Sequence, residues 1–158
     1  MPFQPNPGAI GLAARGYSDV PMDLAVHTPH PFLEIDWTSH AFTSPTNPTR
    51  ITIPRGRGGV YSISAAVRWF RTDSNEFTLA DSQSSYFYAW IMKNGSGNPI
   101  GNPLRSTTSA TAFATGTTQS FTWLLDLDAR DYLELVLQQG VHPMIAANGG
   151  VCLFRVGR

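Results

Sequence analysis

Apolar and polar positions alternate with period two along much of this 158-residue chain, the repeat of strands with one face in a core. The longest run is residues 59–70. Tyr61, Ile63, Ala65, Val67 and Trp69 make an unbroken apolar face, opposed by Ser62, Ser64, Ala66 and Arg68. Pro54-Arg55-Gly56-Arg57-Gly58-Gly59 leads into it as a loop that cannot continue a regular element. Shorter strands are expected before it at 32–37, 40–42 and 50–53, and after it at 85–93, 104–115, 120–127, 132–139 and 150–156. Asn94-Gly95 is the strongest hairpin-turn signal, and Asp128-Ala129-Arg130-Asp131 separates two further strands. No stretch holds a helical period, and the spacing of the strands predicts an all-β sandwich.

Two strands carry more apolar surface than a sandwich uses. In 85–93, Tyr86, Tyr88 and Trp90 oppose Phe87, Ala89 and Ile91. In 132–139, Tyr132 and Val136 oppose the Leu133, Leu135 and Leu137 face. Surplus apolar faces mark interfaces, so Tyr86, Tyr88, Trp90, Tyr132 and Val136 are expected between copies of the chain. The competing arrangement is a broader internal core, covered by the N-terminal segment or the 71–84 loop.

Residues 1–31 have a different character, with six of the chain's 12 prolines and glycines at 8, 11 and 16. Proline removes backbone donors, so neither a long helix nor a central strand fits there. The expected organisation is an extended arm over 1–31 and a sandwich over 32–158. Phe3, Ile10, Leu12, Tyr17 and Leu24 are spaced as apolar anchors that an arm would press into grooves of a partner.

Charge narrows the partners. Eleven basic and 11 acidic residues cancel, and ten of the basic ones are arginine, which gives no basic stripe for nucleic acid. Only 14% of positions are charged, a low figure for a small free monomer and in keeping with surface buried in an assembly. No apolar stretch is long enough to span a membrane, and the N-terminus lacks the pattern of a secretory signal. Synthesis in a cytoplasm is the expectation. Cys152 is the lone cysteine, expected as a small buried hydrophobe.

Four segments resemble, in order, the complement globular-head and tumour-necrosis-factor-like superfamily. They are Ile53-Pro54 with Gly59-Val60-Tyr61-Ser62-Ile63, then Ala89-Trp90-Ile91-Met92-Lys93-Asn94-Gly95, the pair of strands within 121–139, and Gly149-Gly150-Val151-Cys152-Leu153-Phe154. The resemblance covers residues 32–158 and implies a ten-stranded jelly roll that trimerises about a threefold axis. Ala129-Arg130-Asp131 stands where that family usually has Gly-Asp, and no collagen-like stem is present. Trimeric jelly rolls of this kind also resemble phage virion proteins. The expected function is that of a trimeric decoration (cement) protein on the outer capsid surface of a tailed phage. Its partners are then itself and the major capsid protein or neighbouring virion subunits, with no nucleic acid or membrane. The alternative is a receptor- or glycan-binding fibre tip using loops 71–84, 95–103 and 141–149.

Candidate chemistry is sparse. His27 and His30 have no third ligand nearby in sequence, and Asp126, Asp128 and Asp131 with Arg130 among them fall short of a calcium shell. Arg55-Gly56-Arg57-Gly58-Gly59 lacks the helix and lysine of a phosphate loop. No catalytic motif is present. The expectation is a non-enzyme without catalytic, cofactor-binding or metal residues.

Overall fold

The computed structural model describes residues 9–18, 20–73, 86–95, 100–107, 117–140 and 144–157, with the backbone alone at 86, 100–107 and 117. These residues form ten β-strands: β1 Gly11–Gly16, β2 Thr28–Pro29, β3 Glu34–Thr38, β4 Ile51–Thr52, β5 Gly59–Arg71, β6 Tyr86–Lys93, β7 Ile100–Thr107, β8 Thr117–Leu127, β9 Tyr132–Gln139 and β10 Ile145–Arg155. One antiparallel sheet has the order β3-β1-β10-β5-β8. The other runs β2-β9-β6-β7, with β4 also paired to β9.

The alternation sets what each sheet buries. Tyr61, Ile63, Ala65, Val67 and Trp69 of β5 are all buried, facing Leu133, Leu135 and Leu137 of β9 in one continuous core. The two sheets are also joined by a polar bridge. The Trp69 Nε1–H donates to Gln119 Oε1 (2.9 Å), and Gln119 Nε2 donates to the Phe87 carbonyl (3.1 Å). A buried indole and amide thereby satisfy each other, as interior polar groups must.

Several expectations are corrected. Residues 11–16, placed in the arm by their glycines, are strand β1, hydrogen-bonded between β3 and β10, with Leu12 fully buried. The sandwich therefore begins well before residue 32, and Leu12 serves the chain's own core. Residues 40–42 form a bend beside β4 instead of a strand, although Phe42 is buried. The expected strand over 104–115 corresponds to β7 as far as residue 107, with 108–116 outside the described residues. Cys152 lies on the outward face of β10 and is half-buried. Neighbours shield its thiol from water and push its pKa up, which leaves it a weak nucleophile.

Candidate docking surfaces

The two outer faces of the sandwich differ in kind. On the first sheet, the register sets outward residues in rows across five strands. Trp37, Ala13, Cys152, Ser64 and Thr122 make one row; Glu34, Arg15, Gly150, Ala66 and Ser120 make the next. Side chains this small leave a shallow groove of about 580 Å³. Large apolar groups edge it on one side. Trp37 stacks on Phe154 (5.4 Å between centroids, 22° between planes), and Leu124, in the neighbouring row, is 67% exposed. On another side Arg15 pairs with Glu34 (2.9 Å) and Asp36 (3.1 Å).

The outer face of the second sheet holds the surplus aromatics, and the chain covers much of it itself. Trp90 is 5% exposed and Val136 1%. The His27 ring packs T-shaped against Trp90 (5.0 Å between centroids), and Pro29 pairs beside Val136. The Arg50 guanidinium lies 4.1 Å over the Tyr132 ring and bonds Glu134 (3.1 Å), so a cation, an aromatic and a carboxylate close off the other end. Tyr88 packs edge-on against Trp90. Trp90 and Val136, expected between copies, are thus buried within one chain, and the internal cover weighed against that expectation is what forms. The Tyr86 side chain lies outside the described residues.

Residues 20–31 supply that cover as a strap. Its backbone is anchored by Met22 N–H to the Ile145 carbonyl (2.7 Å), Ala25 N–H to the Gln139 carbonyl (2.8 Å) and His30 N–H to the Leu135 carbonyl (2.8 Å). Gln139, fully buried at the end of β9's inward row, also donates its amide to the Met22 carbonyl (2.9 Å), and Gln138 donates to the Ala25 carbonyl (3.0 Å). Met22 turns inward, whereas Val20, Leu24 and Val26 point out, with Val20 71% exposed. Of the expected anchors, Tyr17 and Leu24 are exposed on or beside this strap, Ile10 packs against the core, and Phe3 lies outside the described residues.

His30 closes the strap. Its ring is buried in a seat made by two glycines, with Nε2 3.2 Å from the Gly16 carbonyl oxygen and 3.1 Å from the Gly149 nitrogen. A Cβ at Gly16 would fall 1.7 Å from the Pro31 carbonyl oxygen and 2.8 Å from His30 Nε2, so that position must be glycine, and a Cβ at Gly149 would press on the imidazole at 3.1 Å. Burial pushes the His30 pKa below 6.5, against the opposing pull of the Gly16 and Gly149 backbone.

The acidic turn is occupied by the protein. Asp131 accepts from Lys93 Nζ (2.6 Å), Asn94 Nδ2 (2.7 Å) and the Asp128 N–H (2.8 Å), while Asn94 Oδ1 accepts from the Tyr132 N–H (2.9 Å). Partial burial raises the Asp131 pKa, but the bonds from Lys93, Asn94 and Asp128 outweigh it and hold the carboxyl below its usual range. This carboxylate locks the Asn94-Gly95 turn to the β8–β9 turn. The glycine-arginine loop is likewise a turn, held by the Tyr61 hydroxyl donating to the Arg57 carbonyl (2.6 Å). Among the described residues, no group of three His, Cys, Asp or Glu is placed to hold a metal ion, and no helix is long and apolar enough to cross a membrane. Residues 74–84, 96–99 and 141–143 of the expected fibre-tip loops lie outside the described residues.

Sequence reasoning missed Gln139, Gln119 and the seat of His30. Gln139 carried a signal: a polar side chain continuing the inward register of Leu133, Leu135 and Leu137. The His30 seat carried none, since its glycines lie 14 residues before it and 119 after.

No protein-family profile matches the sequence, and no curated protein does. Solved structures do. The globular domain of zebrafish complement 1qA superposes with a TM-score of 0.65 at 11% identity, over 95% of this chain and 98% of that one. The PRD1 vertex protein P5 superposes with a TM-score of 0.56 at 13% identity, over 93% of this chain and 96% of that one. The chain therefore has the jelly-roll fold of the complement globular head, as its four ordered motifs implied.

Proposed function

We propose that the chain is a self-associating structural subunit of a virion. Copies, three by the resemblance, bury the groove-bearing face of the first sheet, and the outward ridge of the strap meets the capsid. The observation that carries this reading is the face itself. Between Trp37, Phe154 and Leu124 on one side and the Arg15, Glu34 and Asp36 cluster on another, β1, β10, β5 and β8 present alanine, glycine, serine, threonine and cysteine, a surface that a second body can approach closely. This reading puts the interface on the sheet opposite to the one that the aromatic surplus indicated. Val20, Leu24 and Val26 supply apolar contacts for a capsid partner, and each such contact must be broken before a joint between capsomers can open. The likeness to the vertex protein of PRD1 motivates the virion setting.

Light scattering tests the association. The wild type is expected at three times the 17.3 kDa of the chain, and Ala66→Glu, which puts a carboxylate into the flat face, at the single-chain mass. A wild type that runs as a single chain at micromolar concentration overturns the reading. The capsid role is tested with Val20→Asp/Leu24→Asp, which spares β1: purified particles should retain the wild type and release this variant. Equal retention of both removes the strap from the contact. Retention of neither, with specific binding on a glycan array, favours the fibre tip instead.

A further inference from the structure

The His30 seat has a property that a merely structural bond lacks. A single ring nitrogen, Nε2, faces both a donor, the Gly149 N–H, and an acceptor, the Gly16 carbonyl. A neutral imidazole meets one of them through Nε2: its lone pair accepts from Gly149, or its proton is given to Gly16. The imidazolium cannot accept from Gly149 at all, and its charge is placed in a buried seat. None of the charged groups around it compensates. Arg15 of β1, next to Gly16, is committed to Glu34 and Asp36, and Glu134 of β9, next to Leu135, is committed to Arg50. Arg68 of β5 stands opposite Asn148 on the outward face, and Asp23 and His27 lie on the exposed part of the strap. Among the described residues no carboxylate pairs with His30, and its nearest ring neighbour is Phe32, edge-on at 6.3 Å.

We propose that His30 is an acid-operated latch: protonation of its buried ring unseats residues 20–31 and bares the Trp90–Val136 face that they cover. The geometry joins the two events. The histidine bonds the last residue of β1 and an interior residue of β10 in the first sheet, while its own backbone N–H is bonded to β9 in the second. Loss of the seat therefore frees the strap where it crosses between sheets, and His27 and Pro29 leave Trp90 and Val136 with it. The sign follows from burial. A folded-state pKa below 6.5 means that the unseated histidine binds the proton more readily, so the latch is fully closed above about pH 6.5 and loosens as pH falls below it. The bias toward the open strap grows by at most about tenfold per pH unit until the folded-state pKa is passed.

Backbone hydrogen exchange at pH 7.5 and pH 5.0, corrected for the intrinsic rates, tests the latch. The amides of Met22, Ala25 and His30 should lose about tenfold of their protection on acidification while those of β5 keep theirs. His30→Gln offers an amide that accepts from Gly149 and donates to Gly16 without titrating, so its strap protection should be the same at both pH values. Strap protection that is unchanged by pH in the wild type, or still lost in His30→Gln, overturns the proposal. If His30→Gln fails to fold, the wild-type ring decides by NMR titration. A midpoint below 6.5, moving together with the strap amide shifts, supports the latch, and a midpoint at or above 6.5 overturns it.

Discussion

The two outer faces of the sandwich teach opposite lessons about apolar surplus. The second sheet carries large aromatics outward and then hides them under residues 20–31 and Arg50. The first carries alanine, serine, glycine and cysteine outward and leaves them open. Large side chains standing off a sheet need cover but accept it from any segment of their own chain. Small ones expose little apolar area each, yet they let another body come close to the backbone. Aromatic content on a strand's outward face is thus no guide by itself to an interface, because a segment of the same chain can cover it.

Substitutions can break this contrast. Trp90→Ala should have the largest effect, about 3–5 kcal/mol off the unfolding free energy in urea, because it empties a site closed within the chain. If Trp90 instead served only an interface, the dissociated chain would unfold unchanged. Gln139→Leu keeps the volume but removes the amide that holds the Met22 carbonyl, and about 1–3 kcal/mol of strap stability should go with it. Hydrogen exchange at Met22 and Ala25 reads that loss separately from global unfolding. Ala66→Glu should change the unfolding free energy of the dissociated chain by no more than about 0.5 kcal/mol, since its side chain enters solvent. Its effect belongs to association alone.

Acid sharpens the comparison from a third side, at the turns. The Asp131 carboxyl is held below its usual range, so its contribution is fully present above about pH 4 and is lost as pH falls through its lowered value. Asp131→Asn should flatten that part of the acid unfolding curve. A curve with the wild-type slope would mean that Lys93 and Asn94 do not act through this group.

β5 was legible by its strict alternation, and β6 and β9 by the full rows of large side chains that they bury. β1 was not. Gly11 and Gly16 read as breakers, yet Gly16 is required by the approach of Pro31 and His30, and only the distant part of the chain reveals that need. The same non-locality hid the cover of the second sheet. That strands 85–93 and 132–139 held too much apolar surface was readable, but which segment covers it depends on hydrogen bonds from Gln138 and Gln139 to residues 113 to 117 positions away. Cys152 misled through its apolar neighbours, whose alternation gives Val151 and Leu153 to the core and turns the thiol outward.

The pairing of β1 with β10 has a consequence in time. Residues 11–16 leave the ribosome first but find their partner strand only once residues 149–154 have followed. Until then β5 has β8 on one side and an open edge on the other, because β10 fills the second place as well. Closure of that sheet is consequently a late, cooperative and slow event governed by long-range contacts, and a nascent chain stalled before residue 145 carries an unpaired edge that neighbouring nascent chains can capture.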